Sequence, residues 1–369
     1  MKILNVEQIR NLDLYTIENE PIASIDLMER ASATFVNWFE NKFRNRKKPI
    51  TVFCGIGNNG GDGFAIARML FEKDYDVRVI LCAISKKLSK DCAVNFKRLK
   101  TIKEVPFTNW KLEDSFPKIE SESIVIDAIF GSGLNRPIEG NLGELLTYLN
   151  EKNATRISVD VPSGLFSDKH SEGVVFKADY TFSFEMPKLA FLFPENQNHV
   201  GEWIFESIGL DKSFIEKSET NSHLIDYQLV KSVLRQRNKF DHKGTFGHAL
   251  IIAGSYGKVG AAILAAKACL RSGAGLVSIH SPKCAYQILQ ISFPEAMVGV
   301  DEHEFYISNI PDLKPYKSIG IGCGIGTNEL TQKALKNLIE KDYHLVAKVK
   351  DGWIYRRNMN NRVVQVRND

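Results

Sequence analysis

Three short polar clusters carry the residue types from which a reactive site is built: Asn58-Asn59-Gly60-Gly61-Asp62, then Asp127 with Gly131-Ser132-Gly133-Leu134-Asn135-Arg136-Pro137, then Asp160 with Ser163. Each follows a short apolar run, so each falls where a strand ends. The amide, carboxylate and hydroxyl oxygens of Asn59, Asp127 and Ser163 form a set suited to a hard cation. Asp160 is left over as a carboxylate for proton transfer. A lone Asp at a strand end usually caps the next turn and does no more. Three such clusters at the ends of strands in one sheet point instead to a site. Arg136 has the planar fork that grips a phosphate with two hydrogen bonds, although a solvent-facing salt bridge would satisfy it equally. Lys188, in Glu185-Met186-Pro187-Lys188, reads as a surface lysine near the same rim.

The elements that must position these clusters follow from periodicity. Apolar strands recur at Ile50, Val77, Ile124, Ile157 and Tyr180, with helical patterns near residues 64, 90 and 140 between them. Ile25 to Phe43 reads as an amphipathic helix that packs Met28, Ala31, Phe35, Trp38 and Phe39 inward. This alternation predicts a parallel, doubly wound sheet, whose ligands bind beyond the carboxyl ends of the strands. Between strand Ile50–Cys54 and a helix from Phe64 to Phe71, the glycine-rich turn is expected to bring bare backbone close to a ligand. Gly55, Gly57 and Gly60 fit the dinucleotide pattern G-x-G-x-x-G, which raises a nicotinamide dehydrogenase. The negative charge of Asp62 at the helix start counts against it, as does Ile84-Ser85-Lys86-Lys87, which offers no acid to a ribose after the second strand.

Asp211 to Lys243 is rich in Lys, Glu, Ser and Asn, with one possible helix from Tyr227 to Leu234, and reads as a connection. A second glycine-rich α/β pattern follows. It runs through strand His248 to Ala253, loop Gly254 to Gly260, a helix Ala261 to Ser272 and strand Gly275 to His280. Strand Ser318 to Gly322 and a helix from Glu329 to Ile339 complete it. It lacks the G-x-x-x-x-G-K-S/T spacing of a P-loop.

The 369 residues, 44% hydrophobic and 25% charged, suffice for two globular domains. The formal charge of +4 is concentrated after residue 340, so charge indicates no nucleic-acid surface over the body of the chain. Six cysteines without a C-x-x-C pair argue against a zinc site or disulfide framework and read as buried thiols of a reducing compartment. Met1 to Glu20 offers no apolar signal core, and no apolar run is long enough to span a bilayer. The expected location is the cytoplasm, with no membrane partner.

N-N-G-G-D-G, D-A-I-F-G-S-G-L-N-R-P and D-V-P-S-G together resemble the NAD(P)H-hydrate epimerase family, the YjeF N-terminal domain. Leu27-Met28-Glu29, Ala178-Asp179-Tyr180-Thr181-Phe182 and Pro187-Lys188 extend the likeness over residues 1–225. The resemblance implies a Rossmann-like domain that interconverts the R and S epimers of hydrated NADH and NADPH. It implies that Asn58, Asn59, Gly60, Gly61, Asp62 and Gly131 to Pro137 contact that substrate. Asp160 would contact it as acid/base, and Asn59, Asp127 and Ser163 would hold potassium. A homo-oligomer is also implied by the family. A rival is a non-catalytic scaffold module of the same fold, which would not need Asp160 together with the cation set.

His242-Lys243-Gly244, Gly247 to Ser255, Gly260-Ala261-Ala262, Pro294-Glu295-Ala296-Met297 and Gly322 to Gly326 resemble the ADP- or ATP-dependent NAD(P)H-hydrate dehydratase, which is ribokinase-like. This implies that Ala261 and Gly324 lie near a hydrated nicotinamide. The match is lost after about residue 340, so residues 226–369 read as an incomplete ribokinase-like α/β domain. The family's D-A-D-A-L strand, P-H-P-G-E segment and G-T-G-D loop do not occur. The expectation is a truncated dehydratase without activity of its own. Asp351-Gly352 predicts a hairpin instead, with a third strand from Arg362 to Val366.

Overall fold

Ile50–Cys54 is buried at every position and forms β1 in the interior of a seven-stranded sheet, as a strand covered on both faces must be. The computed structural model describes residues 1–83, 87–234, 236–349, 352–357 and 363–367. Ile84, Ser85, Lys86, Asp351 and Arg362, on which sequence expectations fell, lie outside the described residues. Two compact units divide the chain, Met1–Leu234 and Arg235–Asp369.

The first unit adds β2 (Val77–Cys82), β3 (Phe107–Trp110), β4 (Ile124–Ala128), β5 (Thr155–Val159), β6 (Tyr180–Phe184) and β7 (Glu202–Glu206). Their spatial order is β3-β2-β1-β4-β5-β6-β7, every neighbouring pair parallel. The order reverses between β1 and β4, in register Ile50↔Ile124. A doubly wound sheet opens its ligand crevice at that switch point. The two edge strands, β3 and β7, escape the sequence reading because they are short and half polar.

Helices α1 (Val6–Asn19), α2 (Ser24–Lys42), α3 (Asn58–Phe71), α4 (Lys90–Lys100) and α5 (Gly140–Asn150) pack around this sheet. Phe35 and Phe39 of α2, Phe64 and Leu70 of α3 and Leu99 of α4 share a core on one face. Leu142, Leu145, Leu146 and Leu149 of α5 cover the other face. Short helices α6 (Gln197–Val200), α7 (Lys212–Lys217) and α8 (Tyr227–Val233) follow.

α1 starts with a reciprocal cap. Asn5 Oδ1 accepts from the Gln8 N–H at 2.8 Å, and Gln8 Oε1 accepts from the Asn5 N–H at 3.0 Å. Its apolar side, through Leu12, joins a cluster with Leu27 and Ala31 of α2 and with Met186, Ile208 and Leu210, which follow β6 and β7. That cluster seats α1 beside the carboxyl ends of the strands.

In the second unit β8 (His248–Ile252), β9 (Leu276–Ser281), β10 (Met297–Val300) and β11 (Ser318–Ile321) form a parallel sheet in the order β10-β9-β8-β11. Its helices are α9 (Val259–Arg271), α10 (Tyr286–Ser292) and α11 (Glu329–Asp342). β12 (Tyr343–Val349), β13 (Gly352–Arg357) and β14 (Val363–Arg367) pair antiparallel, so the antiparallel strands expected there are present, while the expected turn at Asp351 lies outside the described residues. Both units are α/β, as the sequence predicts.

Candidate active site

The glycine-rich segment after β1 is a helix start and not a loop. α3 begins at Asn58 with Gly57 as its N-cap, so Asn58 to Asp62 form its first turns. Packing dictates the glycines: a Cβ on Gly60 would stand 1.9 Å from the Gly55 carbonyl oxygen, and one on Gly63 only 2.7 Å from Ala128 Cβ. They let the helix approach β1 and β4, which corrects the expectation that they admit a ligand to bare backbone. Gly60 and Gly61 are buried accordingly.

A cavity of about 800 Å³ opens at the β1/β4 switch point. Asn58, Asn59 and Asp62 line it from α3, Gly131 to Arg136 from the loop after β4, and Asp160 from the end of β5. Ten of the sequence-predicted residues therefore converge. Gly60, Gly61 and Pro137 do not face it, and Pro137 packs toward Gly173.

Asp160 has φ +64°, a left-handed conformation that Asp tolerates better than most residues and that marks many functional positions. One carboxylate oxygen accepts from the Ser132 N–H at 3.1 Å. The other lies 2.9 Å from Lys188 Nζ. Lys188 is only 2% exposed and also donates to Ser183 Oγ at 3.0 Å. The surface reading of Lys188 is thus wrong, because the turn after β6 folds it under Asp160 as a buried ion pair. Such a pair is costly to desolvate and costlier to break.

Beneath the cavity Asp127 is fully buried. Its carboxylate accepts from Ser163 Oγ at 2.6 Å, the Ser163 N–H at 2.8 Å, Ser158 Oγ at 3.1 Å and the Ile129 N–H at 3.2 Å. Burial pushes its pKa up to about 6, and the bonds from Ser163, Ile129 and Ser158 pull against that rise. Asn59 is 8% exposed, and both its side-chain oxygen and its nitrogen lack a hydrogen-bond partner. A Cβ on Gly131 would stand 3.2 Å from Asn59 and from Asp160 Oδ2. The loop after β4 therefore closes on both.

Asp62 was expected to repel a phosphate from the helix start. It is instead the fifth residue of α3, and burial, reinforced by the negative charges of Asp160, Asp13, Asp91 and Glu29, raises its pKa well above the ordinary carboxylate value. Burial thus favours its neutral form. Arg136 and Arg10 are exposed at the rim, and Arg10 reaches to where a Cβ on Gly133 would be 3.0 Å away.

Helix α1, absent from the sequence reading, supplies Ile9, Arg10, Asp13, Leu14 and Ile17 to the wall. Its signal was present: Asn5 and Gln8 in capping-box spacing, then Ile9, Leu12 and Thr16 at helical spacing. In the second unit Ala261 and Gly324 do meet, since a Cβ on Gly324 would stand 2.9 Å from Ala261 Cβ. Three cysteines are buried as expected, but Cys269 and Cys284 are partly exposed and Cys323 is exposed.

Residues 24–190 match the family model of the YjeF-related protein N-terminus, and residues 249–352 match that of NAD(P)H-hydrate dehydratase. The bifunctional NAD(P)H-hydrate repair enzyme Nnr of Dictyoglomus turgidum is 30% identical over 354 residues, covering 92% of this chain and 68% of that protein. This chain belongs to the bifunctional NAD(P)H-hydrate repair enzyme family. The family's member from Coxiella burnetii is 31% identical, over 91% of this chain and 67% of its own length. Among solved structures, yeast ynu0 aligns with a TM-score of 0.47 at 21% identity, over 60% of this chain and 97% of the yeast chain. Both regions characteristic of the family, epimerase and dehydratase, are present in sequence order. Among the described residues no helix is long and apolar enough to cross a membrane.

Proposed function

We propose that the first unit interconverts the R and S epimers of hydrated NADH and NADPH, with Asp160 as the acid/base group. The observation that carries this reading is the Asp160 carboxylate, fixed by Lys188 and the Ser132 N–H and facing a cavity at the sheet's switch point. Inverting a carbon that bears a hydroxyl beside a ring nitrogen needs protons removed and returned and no redox partner, which a positioned carboxylate can supply. Asn58, Asn59, Asp62 and Gly131 to Arg136 would hold the dinucleotide, with Arg136 toward a phosphate.

On this reading Asn59, Asp127 and Ser163 would hold a potassium ion, supported by the unsatisfied buried amide of Asn59 and by the buried Asp127 carboxylate, which has no cationic partner among the described residues. The hydroxyls of Ser158 and Ser163 can rotate to release carboxylate lone pairs. Bound there, the ion would balance that charge and fix the loops after β4 and β5. ADP or ATP would serve the dehydratase reaction of the second unit. We infer that residues 1–369 alone do not perform it, because the D-A-D-A-L, P-H-P-G-E and G-T-G-D segments do not occur among them. A homo-oligomer and a cytoplasmic setting complete the proposal.

The test is chromatography of the hydrated-NADH epimers with the protein in potassium or choline chloride, with and without ADP or ATP. Accelerated exchange that depends on potassium, with no nucleotide-dependent NADH, is the expected result. NADH formation would overturn the dehydratase inference, and no acceleration would overturn the epimerase.

A further inference from the structure

The first unit holds one more titratable side chain that the reading above leaves without a task. Asp13 stands on α1, outside the segment matched by the family model, and lines the same cavity as Asp62 and Asp160. It forms no hydrogen bond or ion pair among the described residues. Lys188, Asp160 and Glu185 face it from the ends of β5 and β6, Asp62 approaches from α3, and Arg10 lies a turn back on α1. Among the described residues, no three acidic, His or Cys side chains converge closely enough to hold one metal ion. The cavity also receives Asn59, more than nine-tenths buried, with both amide atoms unpartnered. That orphaned amide independently marks the space as one for a ligand.

We propose that Asp13 is a second proton-transfer residue of this site, acting on the ring nitrogen of the hydrated nicotinamide while Asp160 acts on the hydroxyl. This rests on the epimerase reading. The substrate's hydroxyl sits on a carbon bonded to ring nitrogen. Asp160 takes the hydroxyl proton, the oxygen electrons form a carbonyl, and the carbon–nitrogen bond breaks with its pair on nitrogen. Nitrogen takes the proton of the Asp13 carboxyl. Rotation of the freed carbonyl presents its other face; nitrogen then attacks that carbon, returns its proton to Asp13, and oxygen recovers its proton from Asp160. No atom or electron is gained or lost, and no oxidant is needed.

Asp13 suits the acid role better than its neighbours. Burial pushes its pKa up to about 6, with Lys188 pulling it down and Asp160 and Glu185 adding to the rise. Both protonation states are therefore accessible near neutrality, which proton exchange requires. Asp62, whose pKa burial raises well above the ordinary carboxylate value, is already placed among the groups that hold the dinucleotide. Lys188 is occupied by Asp160, Ser183 and backbone carbonyls.

Epimer exchange by the full chain, wild type against Asp13→Asn and Asp13→Glu, tests this from about pH 5 to about pH 9, alongside a carboxyl NMR titration of the unaltered protein. The expected result is a kcat about 100-fold lower in Asp13→Asn, with KM within about threefold and at least about a tenth of the rate restored in Asp13→Glu. The wild-type rate should fall as Asp13 loses its proton above about pH 6, and that limb should vanish in Asp13→Asn. An Asp13→Asn rate within about threefold of wild type, a change confined to KM, or an Asp13 titration near the ordinary value of about 4 would each overturn the proposal and leave the epimerase intact. Should Asp13→Asn fail to fold, the NMR titration and Asp13→Glu decide. Absence of exchange in the wild type would overturn both.

Discussion

The two units present the same chain pattern, an apolar strand, a glycine-rich segment and a helix, yet the polar residues beyond the strands differ in how completely they are paired. In the second unit they satisfy one another. Ser255 Oγ donates to the Gly324 carbonyl at 2.7 Å, Ser281 Oγ to the Ala253 carbonyl at 2.8 Å, and His280 Nε2 lies 3.2 Å from Asp301. Asp301 also accepts from the N–H groups of His303, Ser308 and Asn309. In the first unit Asn59 is unpartnered, while Asp13 and Asp62 keep carboxyls pushed toward the neutral form by burial. Among the described residues, all buried side-chain polar atoms without a partner belong to the first unit. Buried polar groups are normally paired, so the unpartnered Asn59 and Asp13, standing beside the paired Asp127 and Asp160, are what mark the first cluster. That distinction separates a site from a structural cluster of the same composition.

The sharpest way to break this contrast is to remove one acid from each unit. Asp160→Asn should lower epimer exchange about 1000-fold, as loss of an acid/base group does. Asn tolerates the same left-handed backbone, so circular dichroism should stay native. Asp301→Ala should do the reverse. It strands His280 and four donors, and should lower stability by about 3 kcal/mol in denaturant titrations while exchange stays within about twofold. Burial alone would raise the pKa of Asp301, but its bonds from Ser308, His303 and Asn309 hold it below the ordinary value. Its stabilisation is therefore present above the unfolded pKa and lost as pH falls through the folded one. A large loss of exchange in Asp301→Ala with little loss of stability would contradict the contrast.

How much of this was legible in the sequence follows from which physical signals are local. Strands buried on both faces, such as Ile50–Cys54 and Ile124–Ala128, announce themselves as apolar runs, and the switch point follows from their order. β3 and β7 are edge strands whose half-exposed residues break any run. Asp160 was visible at a strand end, but Lys188 was not visible as its partner. The pairing depends on a turn that folds residues 185 to 188 under β5, and no spacing rule reports it. The glycines of Gly60-Gly61-Asp62-Gly63 were visible, but their cause was misread. Whether a glycine spares a ligand or a neighbouring backbone depends on where α3 begins. Asp13 was missed because a capped helix ahead of the motifs looks like any amphipathic surface helix until its wall residues meet the cavity.

The smallest effect sharpens the contrast through pH. Asp13 has a folded pKa raised from 3.8 to about 6, chiefly by burial. A carboxyl raised on folding favours the native state fully below its unfolded pKa, and that contribution is lost as pH rises through the folded one. A rise of that size corresponds to about 3 kcal/mol, and partial exposure to the cavity reduces this to about 2 kcal/mol. Denaturant titrations of wild type and Asp13→Asn across this window should thus converge near pH 4 and separate above about pH 6, with Asp13→Asn the more stable. The Asp301 cluster changes in the opposite direction over a more acidic range, so the two units carry pH dependences of opposite sign. If the Asp13→Asn curve ran parallel to wild type at every pH, the first unit would not be holding a desolvated acid at its cavity.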